Sequence, residues 1–262
     1  MDTVISADGT TIAYDQSGTG KPLICVTPAF GLRVIYEQLA AELADDYHVI
    51  RYDRRGRGDS TDAIKPVAVG SYTIEREIED LAAVIAAVDG DAAVLGYSSG
   101  ARLVLAAAAA GLPMSKIALY EPPFRPGDTM PDHAVVAKLT NLIVAGRPGD
   151  AVATFQVEAA GIPAEMVDGM RNSPVWSDLE AIAQTVVYDA MITVEPGPSE
   201  AIRALPQPIA VLSGAETWPA LGAAAHYAAD MINNAFFVEV PGGANHSLDP
   251  VATAVALRKF LG

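Results

Sequence analysis

The sequence predicts an α/β fold: a mostly parallel sheet with helices on both faces and a helical cap inserted between two sheet strands. Three observations carry this. Short β-branched runs alternate with amphipathic stretches from the N-terminus to Glu121. Residues 123–205 then hold helical segments without strand-like runs, and beyond them the alternation resumes. A β-then-α alternation favours parallel pairing, because each crossover helix covers a sheet face.

In order, TTIAYDQ and PLICVT read as strands, VIYEQLAAELADD as a helix and HVIRYD as a strand. In SYTIEREIEDLAAVIAAVDG, Ile74, Ile78, Leu81, Ile85 and Val88 recur at spacings of four and three, one face of a helix that stops at Gly90. AAVLGY is a strand, the double serine opens a helix, and KIALYE is the next strand. The alanine-rich LVLAAAAAGLP follows Arg102 and falls short of the roughly 20 residues that span a bilayer, so it reads as a buried helix.

Pro/Gly-rich patches at Pro122 to Pro131 and at Glu195 to Pro198 look like junctions. Between them, HAVVAKLTNLIVAG, DAVATFQVEAAG and SDLEAIAQTVVYDAM are helical. PIAVLSG (strand), AAAHYAADMI (helix), AFFVEVPG (strand) and DPVATAVALRKFLG (helix) complete the chain. The expected division is a core of residues 1–122 and 206–262 with a cap of residues 123–205. An insertion at that point lies over the carboxyl ends of the strands, where open α/β sheets bind ligands, so a covered and mostly apolar pocket is expected.

With 262 residues, 51% of them hydrophobic, the chain can bury a sizeable core. Its 17 basic against 32 acidic residues give a net charge of −15, which repels nucleic-acid backbones and anionic membrane surfaces. Cys25 is the one cysteine, so no intrachain disulfide is expected. MDTVISADGT lacks the layout of a signal peptide, and a cytoplasmic setting is the expectation. There is no His, Cys or carboxylate cluster with metal-ligand spacing, and GRGD lacks the Gly-Lys-Ser/Thr ending of a phosphate loop; no metal and no cofactor are expected.

Gly96-Tyr97-Ser98-Ser99-Gly100 matches G-x-S-x-G at a strand-to-helix junction. A nucleophile on so sharp a turn leaves no room for side chains two residues before and two after it. Ser98 has glycines there, whereas Ser99 has Tyr97 and Ala101. Ser98 is the candidate nucleophile, and Ser99 the neighbour whose backbone N–H faces an oxyanion. A serine needs a base to take its proton. Of four histidines, His48 opens a strand, His133 lies in the insertion, His226 lies inside a helix, and His246 sits in a loop after a late strand. His246 is therefore the candidate base. Two carboxylates compete to orient it. Glu216 lies in a polar turn where a solvated glutamate is ordinary; Glu121 ends an apolar strand before two prolines, where an unpaired carboxylate is costly. That favours Glu121, with Glu216 as the alternative.

These residues, in the order Ser, acid, His, resemble the α/β-hydrolase family over nearly the whole chain. PLICVTPAFG resembles its oxyanion loop, with Thr27 and Pro28 in place of the usual His-Gly, and YDRRGRGDS resembles the D-x-R-G-x-G-x-S turn of its esterase, lactonase and epoxide-hydrolase branches. The resemblance implies Ala29 as the second oxyanion donor and the α/β-hydrolase fold. Thr217 stands where the family usually carries an aspartate. A glutamate after the strand matching KIALYE is similar to the acid of haloalkane dehalogenases and of zearalenone-type lactonases. The latter also pair an S-S-G elbow with a loop lacking His-Gly. Serine rather than aspartate at the elbow argues against dehalogenase and epoxide-hydrolase chemistry.

The expected function is hydrolysis of a small apolar ester or lactone through an acyl-enzyme on Ser98, in a pocket lined by Phe30, Tyr97, Trp176, Tyr188 and Met191. Two alternatives stand. The same triad serves C–C bond hydrolysis, cofactor-free peroxide chemistry or the tailoring of a secondary metabolite. Thr217 in the acid slot favours a ligand-binding protein without turnover.

Overall fold

The computed structural model describes residues 1–88, 90–125 and 133–262. The expected Pro122 to Pro131 junction therefore lies partly outside the described residues. Eight strands form one sheet in the order β1-β2-β4-β3-β5-β6-β7-β8. β1 (Asp2–Ile5) and β2 (Thr11–Ser17) pair antiparallel, as do β2 and β4 (Tyr47–Tyr52). β4, β3 (Lys21–Val26), β5 (Ala93–Tyr97), β6 (Ile117–Tyr120), β7 (Ile209–Glu216) and β8 (Ala235–Ala244) are parallel. The sequence reading did not single out β1: Asp2–Ile5 is a short edge strand with little buried surface to give it a pattern.

The parallel strands separate two apolar layers by the two-residue alternation of a pleat. Ile24, Val94, Leu119 and Val211 face the helices α2 (Ile74–Ala86), α3 (Ser99–Ala109) and α10 (Pro219–Met231), among Leu81, Leu103 and Ala225. Leu23, Leu95, Ala118 and Leu212 face α1 (Glu37–Leu43) and α11 (Pro250–Leu261), among Leu39, Leu43 and Leu257. In α2, Leu81 is buried while Ile74, Ile78, Ile85 and Val88 pack against the same layer, as the periodicity predicts. Among the described residues no helix is long and apolar enough to cross a membrane.

Between β6 and β7 the described chain is helical: α4 (His133–Val144), α5 (Pro148–Thr154), a π-helical turn (Phe155–Ala159), α6 (Ala164–Met170), α7 (Val175–Ala181), α8 (Thr185–Thr193) and α9 (Glu200–Arg203). SDLEAIAQTVVYDAM is split between α7 and α8, a break that periodicity did not reveal. These helices share a third apolar cluster containing Leu139, Val152, Phe155, Val167 and Val187, together with Val69 and Tyr72 from the segment before α2. The join to the core is not clean: Phe124, Ile192, Ile202 and Leu205 pack into the layer around α3 rather than into this cluster.

Candidate active site

Ser98 sits between the carboxyl end of β5 and the first residue of α3 with φ 54° and ψ −121°. The flanking glycines are forced by contact. A Cβ on Gly96 would lie 2.6 Å from Ala101 Cα, and one on Gly100 would lie 2.5 Å from Thr27 O. α3 thus approaches β3 more closely than any side chain permits. The Ser98 N–H donates to Tyr120 O at 2.9 Å, tying the turn to the end of β6.

Among the described residues, the non-glycine positions with positive φ are Phe30, Ser98, Glu121, Asn245 and His246. The left-handed region is costly for side chains with a Cβ. Its occurrence at these positions concentrates strain at the carboxyl edge of the sheet. Glu121 follows β6 and is fully buried, its N–H donating to Leu212 O at 2.9 Å. Glu121 Oε2 lies 2.5 Å from His246 Nδ1, and Oε1 accepts the Gly214 N–H at 2.9 Å. Burial pushes the Glu121 carboxyl up, but the hydrogen bonds from His246 and Gly214 and the attraction of His246 outweigh it, so its pKa lies below the ordinary 4.5. It is ionised at neutral pH.

The loop carrying His246 is held from below. Tyr97 Oη donates to His246 O, and Tyr120 Oη donates to Ser247 O at 2.9 Å. The ring of Trp218 stacks on the imidazole with centroids 6.0 Å apart, and Tyr97 meets it edge-on at 5.2 Å. Glu216 contributes through its backbone instead: its carbonyl accepts the Asn245 N–H at 3.2 Å while the residue is exposed. Of the two competing carboxylates, Glu121 touches His246 and Glu216 is solvated. The other histidines lie elsewhere: His48 bonds Gln16, His226 stacks on Phe237, and His133 opens α4.

The second serine has a different occupation. Ser99 Oγ donates to Asp189 Oδ1 of α8 at 2.7 Å and accepts from Arg54 Nη1 at 3.2 Å. Arg54 also forms a two-point pair with Glu77 of α2 at 2.6 and 2.8 Å and reaches Asp189 at 2.8 Å. Arg57 Nη2 donates to Asp189 Oδ2 and Nη1 to Pro28 O, each at 2.6 Å. All four charged side chains are buried. Burial pushes the Asp189 carboxyl up, and the charges of Arg57 and Arg54 then hold it below its usual range. This network joins the elbow, the loop at Pro28 and the insertion. Sequence reasoning missed it, although three arginines in YDRRGRGD were a visible signal.

A cavity of about 700 Å³ opens at this edge, lined by Ala29, Phe30, Tyr97, Ser98, Ser99 and His246 among others. The Ser99 N–H belongs to the first turn of α3, whose amides have no intrahelical acceptor. The insertion and the segment after β7 supply Phe155, Ile162, Trp218 and Leu221 to the wall. Three expected lining residues do not reach it. Trp176 is buried in the insertion with Nε1 on Glu180 at 2.9 Å. Tyr188 is buried, stacked on Tyr72 at 4.0 Å and bonded to Asp62 at 2.7 Å, and Met191 packs against the same cluster. Helical spacing gave them the wrong face because the insertion has its own core to fill. Trp218, which the sequence reading passed over, stands in the wall next to His246.

A model of the alpha/beta hydrolase family matches residues 23–256. The chain is similar to an alpha/beta hydrolase from Sphaerobacter thermophilus at 39% identity over 100% of both chains, with a TM-score of 0.88. An enol-lactonase from Burkholderia xenovorans matches at 21% identity over 99% of each chain with a TM-score of 0.70. An esterase from a Rhodococcus species matches at 23% over 99% of this chain and 98% of that one with a TM-score of 0.66. At these lower identities the likeness is one of fold. This chain belongs to the alpha/beta hydrolase family.

Proposed function

We propose that the protein is a serine hydrolase that cleaves an ester or lactone through an acyl-enzyme on Ser98. The observation that carries this reading is the pairing of a buried, ionised Glu121 with His246 Nδ1 at 2.5 Å, in a wall that also holds the strained Ser98. In this reading the Nδ1–H is committed to Glu121, which leaves Nε2 to take the Ser98 hydroxyl proton as Oγ attacks the carbonyl. Glu121 stabilises the imidazolium, and the same proton is then delivered to the leaving alkoxide. A water deprotonated by His246 attacks the acyl carbonyl and releases the acid. The N–H groups of Ser99 and Ala29 take the oxyanion, each donor worth about 3 kcal/mol in comparable acyl transfer. The mostly apolar wall excludes water and strengthens these interactions.

The same triad is compatible with C–C bond hydrolysis; ester and lactone cleavage is preferred because its leaving group needs no proton source beyond His246. The reading without turnover rested on Thr217 in the usual acid slot, and a glutamate already bonded to His246 supplies that role. A fluorophosphonate probe tests the proposal: labelling at Ser98, located by peptide mass spectrometry and lost in Ser98→Ala, is the expected result. Folded protein that resists the probe overturns the catalytic reading.

A further inference from the structure

We propose that the cavity takes a substrate bearing a carboxylate in addition to its scissile bond, with the Arg125 guanidinium as the counter-ion. This rests on the ester or lactone reading and narrows its substrate to an anionic class. Arg125 lines the cavity, in a wall otherwise built largely from Phe30, Phe124, Phe155, Ile162 and Leu221. It is half-buried, and its Nη2 donates to Val194 O at 2.7 Å. Among the described residues no carboxylate pairs with it. Arg33, Arg54, Arg55 and Arg57, which lie in the core or against it, are each matched to at least one acid. In a chain of net charge −15, Arg125 is thus a guanidinium in an apolar cavity wall that, like Arg51, Arg102 and Arg203, forms no ion pair among the described residues.

Its neighbour sharpens the point. Arg102, buried on α3, lies 4.0 Å above the ring of Phe124 and donates to Glu195 O at 3.0 Å, with no ion pair among the described residues. Burial, and then the like charge of Arg125, push the Arg102 guanidinium down to about 10, with Glu195 drawing it back up. An anion beside Arg125 offsets that repulsion, and a neutral ligand does not. A guanidinium carries five N–H donors, so Arg125 has donors left for a two-point carboxylate contact after its bond to Val194.

A second polar group on the same wall also lacks a partner. Gln156 is buried in the π-helical turn, and its Oε1 makes no hydrogen bond among the described residues. Buried polar groups are ordinarily paired, and π-helical turns recur at functional sites. That oxygen is enclosed by protein, so Gln156 adds polarity to this wall without the oxygen itself reaching a ligand. A wholly apolar substrate leaves Arg125 unmatched.

The test uses Ser98→Ala protein, so that binding is read without turnover, with monoethyl adipate and diethyl adipate as probes and, in a Trp176→Phe background that leaves Trp218 as the one tryptophan, intrinsic fluorescence as the signal. The expected result is at least ten-fold tighter binding of the monoacid at low ionic strength, with added sodium chloride eroding the preference. Arg125→Gln in the same background abolishes the preference. Arg125→Lys, which keeps the charge without the planar fork, retains part of it. Circular dichroism verifies that both variants fold, and the salt dependence of the Ser98→Ala protein stands without them. Equal or weaker binding of the monoacid, or a preference indifferent to both salt and Arg125, overturns the proposal. If wild type hydrolyses neither ester while the monoacid still binds through Arg125, the hydrolytic reading fails and the anion site stands. If both esters are hydrolysed equally, with no dependence on Arg125, the anion site fails and the hydrolytic reading stands.

Discussion

Replacing Asp189 by alanine removes the carboxylate that two buried guanidiniums share. Arg54 keeps its two-point pair with Glu77, so its charge stays matched. Arg57 keeps only the Pro28 carbonyl at 2.6 Å and the Thr185 hydroxyl at 3.2 Å, neither of which carries a compensating charge. Arg57 is 1% exposed, so water does not replace the lost partner. Breaking a buried pair in this way costs about 3–5 kcal/mol, against a total stability of roughly 5–15 kcal/mol for a folded domain. The midpoint of thermal unfolding should fall by roughly 6–20 °C. Urea unfolding followed by circular dichroism measures the loss, with an unchanged slope indicating that the native state is otherwise retained. The control is the double variant Arg57→Met with Asp189→Leu, which removes both charges and fills their volume. It should recover at least half of the loss, because the penalty comes from an unmatched buried charge. A double variant no more stable than Asp189→Ala refutes this reasoning and makes the network a matter of packing.

Further outcomes follow from the site and its surroundings. Glu121→Gln should lower ester turnover about 10³–10⁴-fold, the scale seen when a triad acid is neutralised, while Glu216→Gln changes it little; the reverse ranking in kcat moves the acid to the later loop. Because the folded pKa of Glu121 lies below 4.5, its charge stabilises the fold fully above that pH and ceases to do so as the pH falls through the folded value. The stability gap between wild type and Glu121→Gln, read by urea unfolding, should therefore widen from pH 3 to pH 5 and stay level above. Ser99→Ala should leave fluorophosphonate labelling of Ser98 intact and cost about 1–2 kcal/mol for its bond to Asp189; loss of labelling in folded protein would show that the assignment of the two serines is wrong. Gly100→Ala, whose Cβ would lie 2.5 Å from Thr27 O, should destabilise by about 1–3 kcal/mol or more. Gly169→Ala, in the open on α6, should instead stabilise slightly, by about 0.5–1 kcal/mol, through helix propensity.

Much of this molecule is legible from local pattern. Apolar periodicity places α2 on its buried face, and the alternation of strand and helix leads to a parallel sheet. Glycines at Gly96 and Gly100 separate Ser98 from its neighbour because sterics at a sharp turn act over a few residues. The apolar context of Glu121 favours it over Glu216 for the same reason: a carboxylate at a strand end without a partner is expensive. What needed the tertiary structure is everything that depends on which surfaces meet. Trp176 and Tyr188 carry a helical pattern that a core and a pocket produce alike, and only the packing of α4 to α8 on one another assigns them to the core of the insertion. Trp218 came into view only where the segment after β7 passes over His246. The network of Arg54, Arg57, Glu77 and Asp189 joins residues more than a hundred positions apart, and no local signal pairs charges at that range. The sequence by itself determined most of the elements and the shape of the elbow, and it favoured Glu121 as the candidate acid, because those follow from short-range sterics and desolvation. Tertiary structure decided the walls of the cavity and the partners of its charges, because those are set by long-range contacts among surfaces that look alike in sequence.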